Sequence, residues 1–155
     1  MGPGVRLRAV GVVRSLFKEP SDLPPPAFAP PRFFERSLGE IEVFPEFAEA
    51  LDDIEGFSHI IVLFHFHRAG EAKLRAVPPG ESRPRGIFST RSPHRPNPLG
   101  LSVLKLLRRD GRRLEVAGVD IIDGTPVLDI KPYTTRDRKS RIRTGWLQGK
   151  PRPAR

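Results

Sequence analysis

Six prolines fall between Pro20 and Pro31, and no other stretch of this 155-residue chain restricts its fold as tightly. Each proline fixes φ and removes a backbone donor, so the segment can be neither helix nor central strand and reads as an extended surface loop. A second long connection runs over residues 69–86, with Gly70, Pro78, Pro79, Gly80 and Pro84. A third proline group, Pro93, Pro96 and Pro98, stiffens the stretch from Ser89 to Ser102. Between these breaks the chain can form only short elements.

Those elements read mostly as strands. Residues 5–17 alternate loosely and suit a first strand ending near Ser15, and Ile41–Phe44 reads as another. A helix is expected next, with Pro45 in its first turn, Phe47, Leu51 and Ile54 on one face and Gly56 as its stop. Ser58–Phe66 reads as a buried strand with Ile60, Val62, Phe64 and Phe66 on one side. His59, His65 and His67 share the other. Ser102–Arg109 and Arg112–Val119 predict a hairpin about an Asp110-Gly111 turn, since Asp-Gly supplies positive φ. Asp123-Gly124-Thr125-Pro126 predicts a second turn, leading into Val127–Lys131 with Leu128 and Ile130 inward. The expected fold is mainly β: a small antiparallel β-barrel, open or closed, with one short helix and long proline-rich loops.

The length suits one domain with a real core. No apolar run reaches the roughly 20 residues of a membrane-spanning helix, and Met1–Val10 lacks the pattern of an export signal, so a soluble cytoplasmic protein is expected. The absence of cysteine excludes disulfides, thiolate metal sites, iron–sulfur clusters and a cysteine nucleophile. The net charge is +9, and Arg136–Arg155 holds eight Lys or Arg against the single acid Asp137. Seven of the nine surplus charges therefore lie in this extension, while residues 1–135 form the barrel. Such a concentration attracts polyanions, RNA above all. A solvated basic tail is the alternative.

The segment Gly86-Ile87-Phe88-Ser89-Thr90-Arg91-Ser92-Pro93-His94-Arg95-Pro96-Asn97-Pro98-Leu99-Gly100-Leu101-Ser102 is rigid without regular structure, which makes it a means of presenting side chains. Arg91, His94, Arg95 and Asn97, flanked by Ser89, Thr90 and Ser92, suit carboxylate or phosphate oxygens. No Walker motif, Gly-x-Ser-x-Gly elbow or Rossmann fingerprint accompanies it.

This order of residues resembles the signature of the β-barrel, S-adenosylmethionine-dependent tRNA methyltransferases of the TsaA-like (TrmO) family. The resemblance extends to Val10-Gly11-Val12-Val13-Arg14-Ser15, to Ile54-Glu55-Gly56-Phe57-Ser58-His59-Ile60, to Leu63-Phe64-His65-Phe66-His67 and to Asp123–Tyr133, spanning most of residues 10–133 in order. It implies a homodimeric barrel that binds S-adenosyl-L-methionine near the subunit interface and methylates N6 of threonylcarbamoyl-adenosine in tRNA, 3′ of the anticodon. Carried over by position, Arg91, Leu101, His67, Arg68, Asp120, Asp123, Gly124 and Thr125 are cofactor-binding positions, with Pro31 and Arg32 of the proline-rich loop. On the implied chemistry, Arg91 clamps the methionine carboxylate, Leu101 packs on adenine, and Asp120 or Asp123 accepts from ribose hydroxyls or the ammonium. Asp129 and Tyr133 are candidate bases, while Asn97, Arg95 and Lys131 orient the acceptor. Arg141 and Arg143 stand for tRNA contacts in the extension, where longer bacterial relatives carry a further C-terminal domain. The chain also departs from relatives with Ser-Pro-Tyr or Ser-Pro-Phe before a lysine, having Ser15-Leu16-Phe17-Lys18.

Three other readings compete. One is a non-enzymatic RNA-binding β-barrel module. Another is a methyltransferase of the same fold acting on a different substrate. The third, a metal site on His59, His65 and His67, is disfavoured by the lack of cysteine and nearby carboxylates, and no metal is expected.

Overall fold

The computed structural model describes residues 4–23 and 35–150. Among the described residues eight strands form: β1 (Gly11–Ser15), β2 (Leu38–Val43), β3 (His59–His65), β4 (Arg75–Ala76), β5 (Arg85–Gly86), β6 (Leu99–Asp110), β7 (Arg113–Ala117) and β8 (Pro126–Pro132). Six of them close into an antiparallel barrel in the order β1-β2-β7-β6-β3-β8, while β4 and β5 pair separately. Closure removes the edges of the six-stranded sheet, the aggregation hazard of short strands. The mainly β expectation is met.

The twelve-residue β6 makes closure possible by serving two partners. Leu99–Lys105 pairs with β3, and Lys105–Asp110 pairs with β7 across a register shift between Leu106 and Arg108. Bulges of this kind bend a strand and sharpen its twist. Period-two alternation then sends Val13, Ile41, Val43, Ile60, Val62, Phe64, Leu104, Leu106, Leu114, Val116 and Val127 into one core. Leu51 seals one end of the barrel, and Val119 and Ile121 from the loop after β7 seal the other.

Several local expectations are corrected. The first strand begins only at Gly11, and Val5 and Leu7 ahead of it are exposed. The helix after Pro45 is two 3-10 segments, Pro45–Leu51 and Ile54–Gly56, separated by Asp53 at φ +68°. Phe47, Leu51 and Ile54 still face the core, so the apolar pattern held while the helix type did not. The hairpin pairs Asp110 with Arg113, so its loop is Gly111-Arg112 and not Asp110-Gly111. Gly111 alone has positive φ, +59°, the pattern of a type II′ turn that needs glycine first. In β8, Val127 lies opposite Phe64 but Asp129 lies opposite Leu63, so Leu128 is the extra residue of a bulge. The inward positions are consequently Val127 and Ile130, not Leu128 and Ile130.

Candidate functional site at the barrel mouth

The antiparallel order brings the working segments to one end. There β1 and β3 finish, β2, β6 and β8 begin, and the loop after β7 crosses between them. Ser15 Oγ donates to Ile121 O at 2.7 Å and Ser37 Oγ to Val119 O at 2.5 Å, which tie the crossing loop to β1 and to the approach to β2. Buried polar groups in a barrel end must find such partners, and here they fix the turn at 120–125.

Asp123, Gly124 and Thr125 form that turn. Thr125 N–H donates to Ile122 O, Gly124 takes φ +79°, and Asp123 Oδ1 accepts from Ser15 N–H at 2.9 Å. Lys18 Nζ stands 2.9 Å from Asp123 Oδ2, and this bond, with the Ser15 N–H, holds the carboxyl below its usual range. Lys18 also leads to the next candidates: Arg68 donates to Lys18 O at 3.1 Å and pairs with Glu19 at 2.8 Å. Residues 15–19 thus bridge Asp123 and Arg68. His67, whose N–H closes a tight turn on His65 O, is kept more readily neutral by partial burial and by the neighbouring His65 and Arg68.

The signature stretch enters from the opposite rim. Ile87–Ser89 is a 3-10 turn, Thr90 Oγ1 donates to Ile87 O at 2.9 Å, and Ser92 N–H donates back to Thr90 Oγ1. Arg95 Nη1 donates to Thr90 O at 2.9 Å and to Ser92 O at 3.1 Å, on either side of Arg91. His94 Nδ1 accepts from Gly70 N–H and Phe66 N–H donates to Pro98 O, stitching the loop to the end of β3. Arg91 itself is exposed.

Asp120 lies within reach of this arginine's charge. Ser102 Oγ donates to Asp120 Oδ1 at 2.7 Å, and the positive charge of Arg91 acts on the carboxylate. The Asp120 residue has open surface, yet its carboxyl is crowded on the protein side. The lost hydration outweighs Ser102 and Arg91, and the pKa is raised. Leu101 lies on the outer face of β6, 46% exposed, paired with Leu63. The mouth therefore holds a cation and an anion, and Leu101 gives the adjoining outer face of β6 an apolar shelf.

Other expected residues sit elsewhere. Asp129 and Lys131 pair at 2.7 Å on the outer face of β8, and Asp129 shares a cross-strand row with Leu63 and Leu101. Two strand spacings separate Asp129 from Leu101, about 10 Å. Tyr133 bonds His59 O through its N–H and tilts its ring toward His59 at 6.2 Å. That is the far end of β3, so a single chain does not bring Tyr133 to Arg91. Asn97 is exposed within the signature, and its backbone carbonyl accepts from Leu99 N–H. Arg141 and Arg143 are exposed, and Pro31 and Arg32 lie outside the described residues. The His59 ring contacts Ser58 Oγ at 2.8 Å, and among the described residues no three His, Asp or Glu side chains converge as metal ligands.

Residues 12–137 match the model of the tRNA-methyltransferase O N-terminal domain. The chain belongs to the TrmO family. It is 50% identical over 145 residues to a probable S-adenosyl-L-methionine-binding protein of Archaeoglobus fulgidus, covering 93% of this chain and 38% of that one. A similarly described protein of Pyrococcus abyssi is 49% identical over 142 residues, 91% of this chain and 75% of that one. A crystal structure of TrmO from Pseudomonas aeruginosa superposes with a TM-score of 0.75 at 36% identity, covering 97% of this chain and 66% of the other. Lys18 and Ser102 escaped the sequence reading of this TrmO-family site. Lys18 stands in a segment whose sequence signals only a departure from relatives, and Ser102, at the junction of the signature and the strand expected from it, points inward from β6.

Proposed function

We propose that this chain is an S-adenosylmethionine-dependent methyltransferase acting on N6 of threonylcarbamoyl-adenosine beside the tRNA anticodon. The observation that supports the reading is that a TrmO-family fold brings the loops carrying Arg91, Asp120, His67-Arg68 and Asp123–Thr125 to one barrel mouth, with Leu101 on the adjoining outer face of β6. The set suits an amino-acid nucleoside. Arg91 takes the carboxylate, Asp120 takes the ammonium or ribose hydroxyls, and Leu101 gives the adenine an apolar shelf. A cation near Asp120 also offsets its poor solvation, so binding and the raised pKa belong to the same design.

S-adenosylmethionine supplies a methyl group at a sulfonium, open to in-line displacement. The protein's share is alignment and disposal of one proton. Threonylcarbamoylation turns the adenine amine into a urea nitrogen, a weak nucleophile with a more acidic N–H. Asp129, half-buried and held by Lys131, is the carboxylate that β8 offers to accept that proton. Arg95, Asn97 and Lys131 are left for the acceptor side, although Arg95 already spends one nitrogen on its own loop.

Two partners follow. A second copy would cover the outer face of β3 and β6, where Ile61 and Leu63 lie beside the exposed Leu99, Leu101 and Val103. Covering this face would also bring another copy's residues to Leu101, and Tyr133 becomes available as a base only in that way. Transfer RNA would lie along the basic extension, with Arg141 and Arg143 among its phosphate contacts. The cytoplasm, where such tRNA is used, is the place for this activity.

The deciding experiment is nucleoside mass spectrometry after incubating modified and unmodified tRNA with the protein and methyl-labelled S-adenosylmethionine. Label on threonylcarbamoyl-adenosine supports the reading. Label on another base or none, with cofactor bound, refutes the substrate assignment.

A further inference from the structure

The basic extension does not hang free of the barrel. Trp146, the only tryptophan in the chain, donates its indole N–H to Ser89 O at 2.7 Å, across 57 residues of sequence. Arg85 lies over the same ring, 5.4 Å from its centroid. Glu81 holds Arg85 at 3.0 Å with one carboxylate oxygen and Lys150 with the other, and these two bonds hold its carboxyl below the usual range. The Glu81 side chain is only 8% exposed, so both cations are gathered onto a sheltered carboxylate. Arg85 Nε is buried without a hydrogen-bond partner, which fits a guanidinium held by the ring and by Glu81. A tail that served only as a cloud of charge for RNA would need none of this.

What the latch grips is two residues from Arg91. The carbonyls of Thr90 and Ser92 are already tied by Arg95 Nη1, inside the loop. Trp146 ties the carbonyl of Ser89 from outside it. The backbone around Arg91 is therefore fixed on both sides, and one of the three ties comes from the extension. We infer that Trp146 is a positioning residue for Arg91, so that the extension presets the cofactor end of the site as well as facing RNA. The inference rests on the reading of Arg91 as the cofactor's carboxylate clamp.

The test uses the full-length protein and Trp146→Phe, which keeps a ring beneath Arg85 and removes the donor. Loss of one hydrogen bond of ordinary net worth should raise the Kd for S-adenosylmethionine, measured by calorimetry, by about three- to tenfold. Turnover at saturating cofactor and the Kd for tRNA should stay within about twofold of wild type on the same reasoning, because the lost bond bears on Arg91 alone. Arg91→Ala should weaken cofactor binding by itself, and Trp146→Phe should add nothing to it, since Trp146 acts through Arg91. A W146F protein with wild-type cofactor affinity overturns the inference, as does a factor that persists in the Arg91→Ala background. A change confined to tRNA affinity also overturns it and makes the indole an RNA contact. If Arg91→Ala alone leaves cofactor binding unchanged, the clamp reading fails, a result distinct from a silent W146F beside a damaged Arg91→Ala. Thermal unfolding checks that W146F is folded. Lys150→Ala, which loosens the strap without touching the indole, should move cofactor affinity the same way by a smaller factor, and an unchanged affinity there counts against the inference.

Discussion

Replacing Gly100 by alanine tests how the signature is seated on the barrel. Gly100 points inward from β6 opposite Phe64, and a Cβ placed on it would come within 2.2 Å of Phe64 Cε2, 2.3 Å of Cζ and 2.9 Å of Cδ2. Carbon atoms in contact normally sit at about 3.5–4.0 Å, so the ring must retreat by more than about 1 Å. It has little room to do so. Phe64 is 4% exposed, paired on both sides by β6 and β8, and edge-on to Phe66 at 5.1 Å. Overpacking of this kind costs about 1–3 kcal/mol, and the stiffer unfolded chain of an alanine returns about 0.4–1. With three atoms of one ring in the way, the upper half of the range applies, for a net loss of about 2 kcal/mol. For a chain of this size that lowers Tm by roughly 4–8 °C. Urea unfolding followed by circular dichroism measures it, and Phe64→Leu in the same protein supplies the control. Leucine removes the outer ring atoms, so the double variant should be more stable than the sum of the single changes by about 1 kcal/mol or more. A Gly100→Ala protein within about 0.5 kcal/mol of wild type, or strictly additive effects, would refute the reasoning.

The remaining predictions concern charge and chemistry. Asp120 has its pKa raised above the ordinary 3.8, so the folded state holds a proton more tightly than the unfolded one, and stability falls as pH rises through that interval. Asp120→Asn should therefore raise Tm at neutral pH, with the gain shrinking toward the acid side of the interval, while weakening cofactor binding. A lower Tm at pH 7 contradicts the burial argument. Asp123 has the opposite sign: its pKa is lowered by Lys18 and the Ser15 N–H, so its contribution is present above the ordinary carboxylate range and is lost on acidification. Lys18→Met should therefore shift the acid-unfolding midpoint to higher pH, and an unmoved midpoint denies the pair any role. Asp129→Ala should bind cofactor normally and turn over at least about 100-fold more slowly if the carboxylate takes the proton, whereas full turnover eliminates that assignment. Removing residues 148–155 should weaken tRNA binding and flatten its salt dependence. Unchanged binding at both low and high salt sinks the extension as an RNA contact.

How much of this was legible in the sequence depended on whether a property was local. Alternation placed Ile60, Val62 and Phe64 inward correctly, because period two is imposed by the strand itself. Prolines and turn glycines placed the breaks. Leu128 was misread because a bulge in β8 is set by its pairing with β3, which no feature of Val127–Lys131 announces. The turn at Gly111 was placed one residue early for a related reason: Asp-Gly fits two hairpin registers, and the pairing of Asp110 with Arg113 chooses between them.

The candidate site shows the same division. Arg91, Leu101, His67 and Asp123 could be named from motifs, since each lies within a continuous stretch that resembles a family. Their meeting at one mouth could not be seen, because it depends on the direction of six strands. Nor could the division of labour among the arginines, which share one formal charge and differ only in their neighbours. Arg68 and Arg85 are absorbed by Glu19 and Glu81, and Arg95 holds carbonyls of its own loop. Arg91 is exposed, and its charge acts on Asp120. An arginine that is bonded to its own scaffold gains little from a ligand carboxylate, whereas one that faces solvent next to a desolvated carboxyl can complete a zwitterion site. Among these four arginines Arg91 is the one left facing solvent, and Arg95 holds the backbone on either side of it.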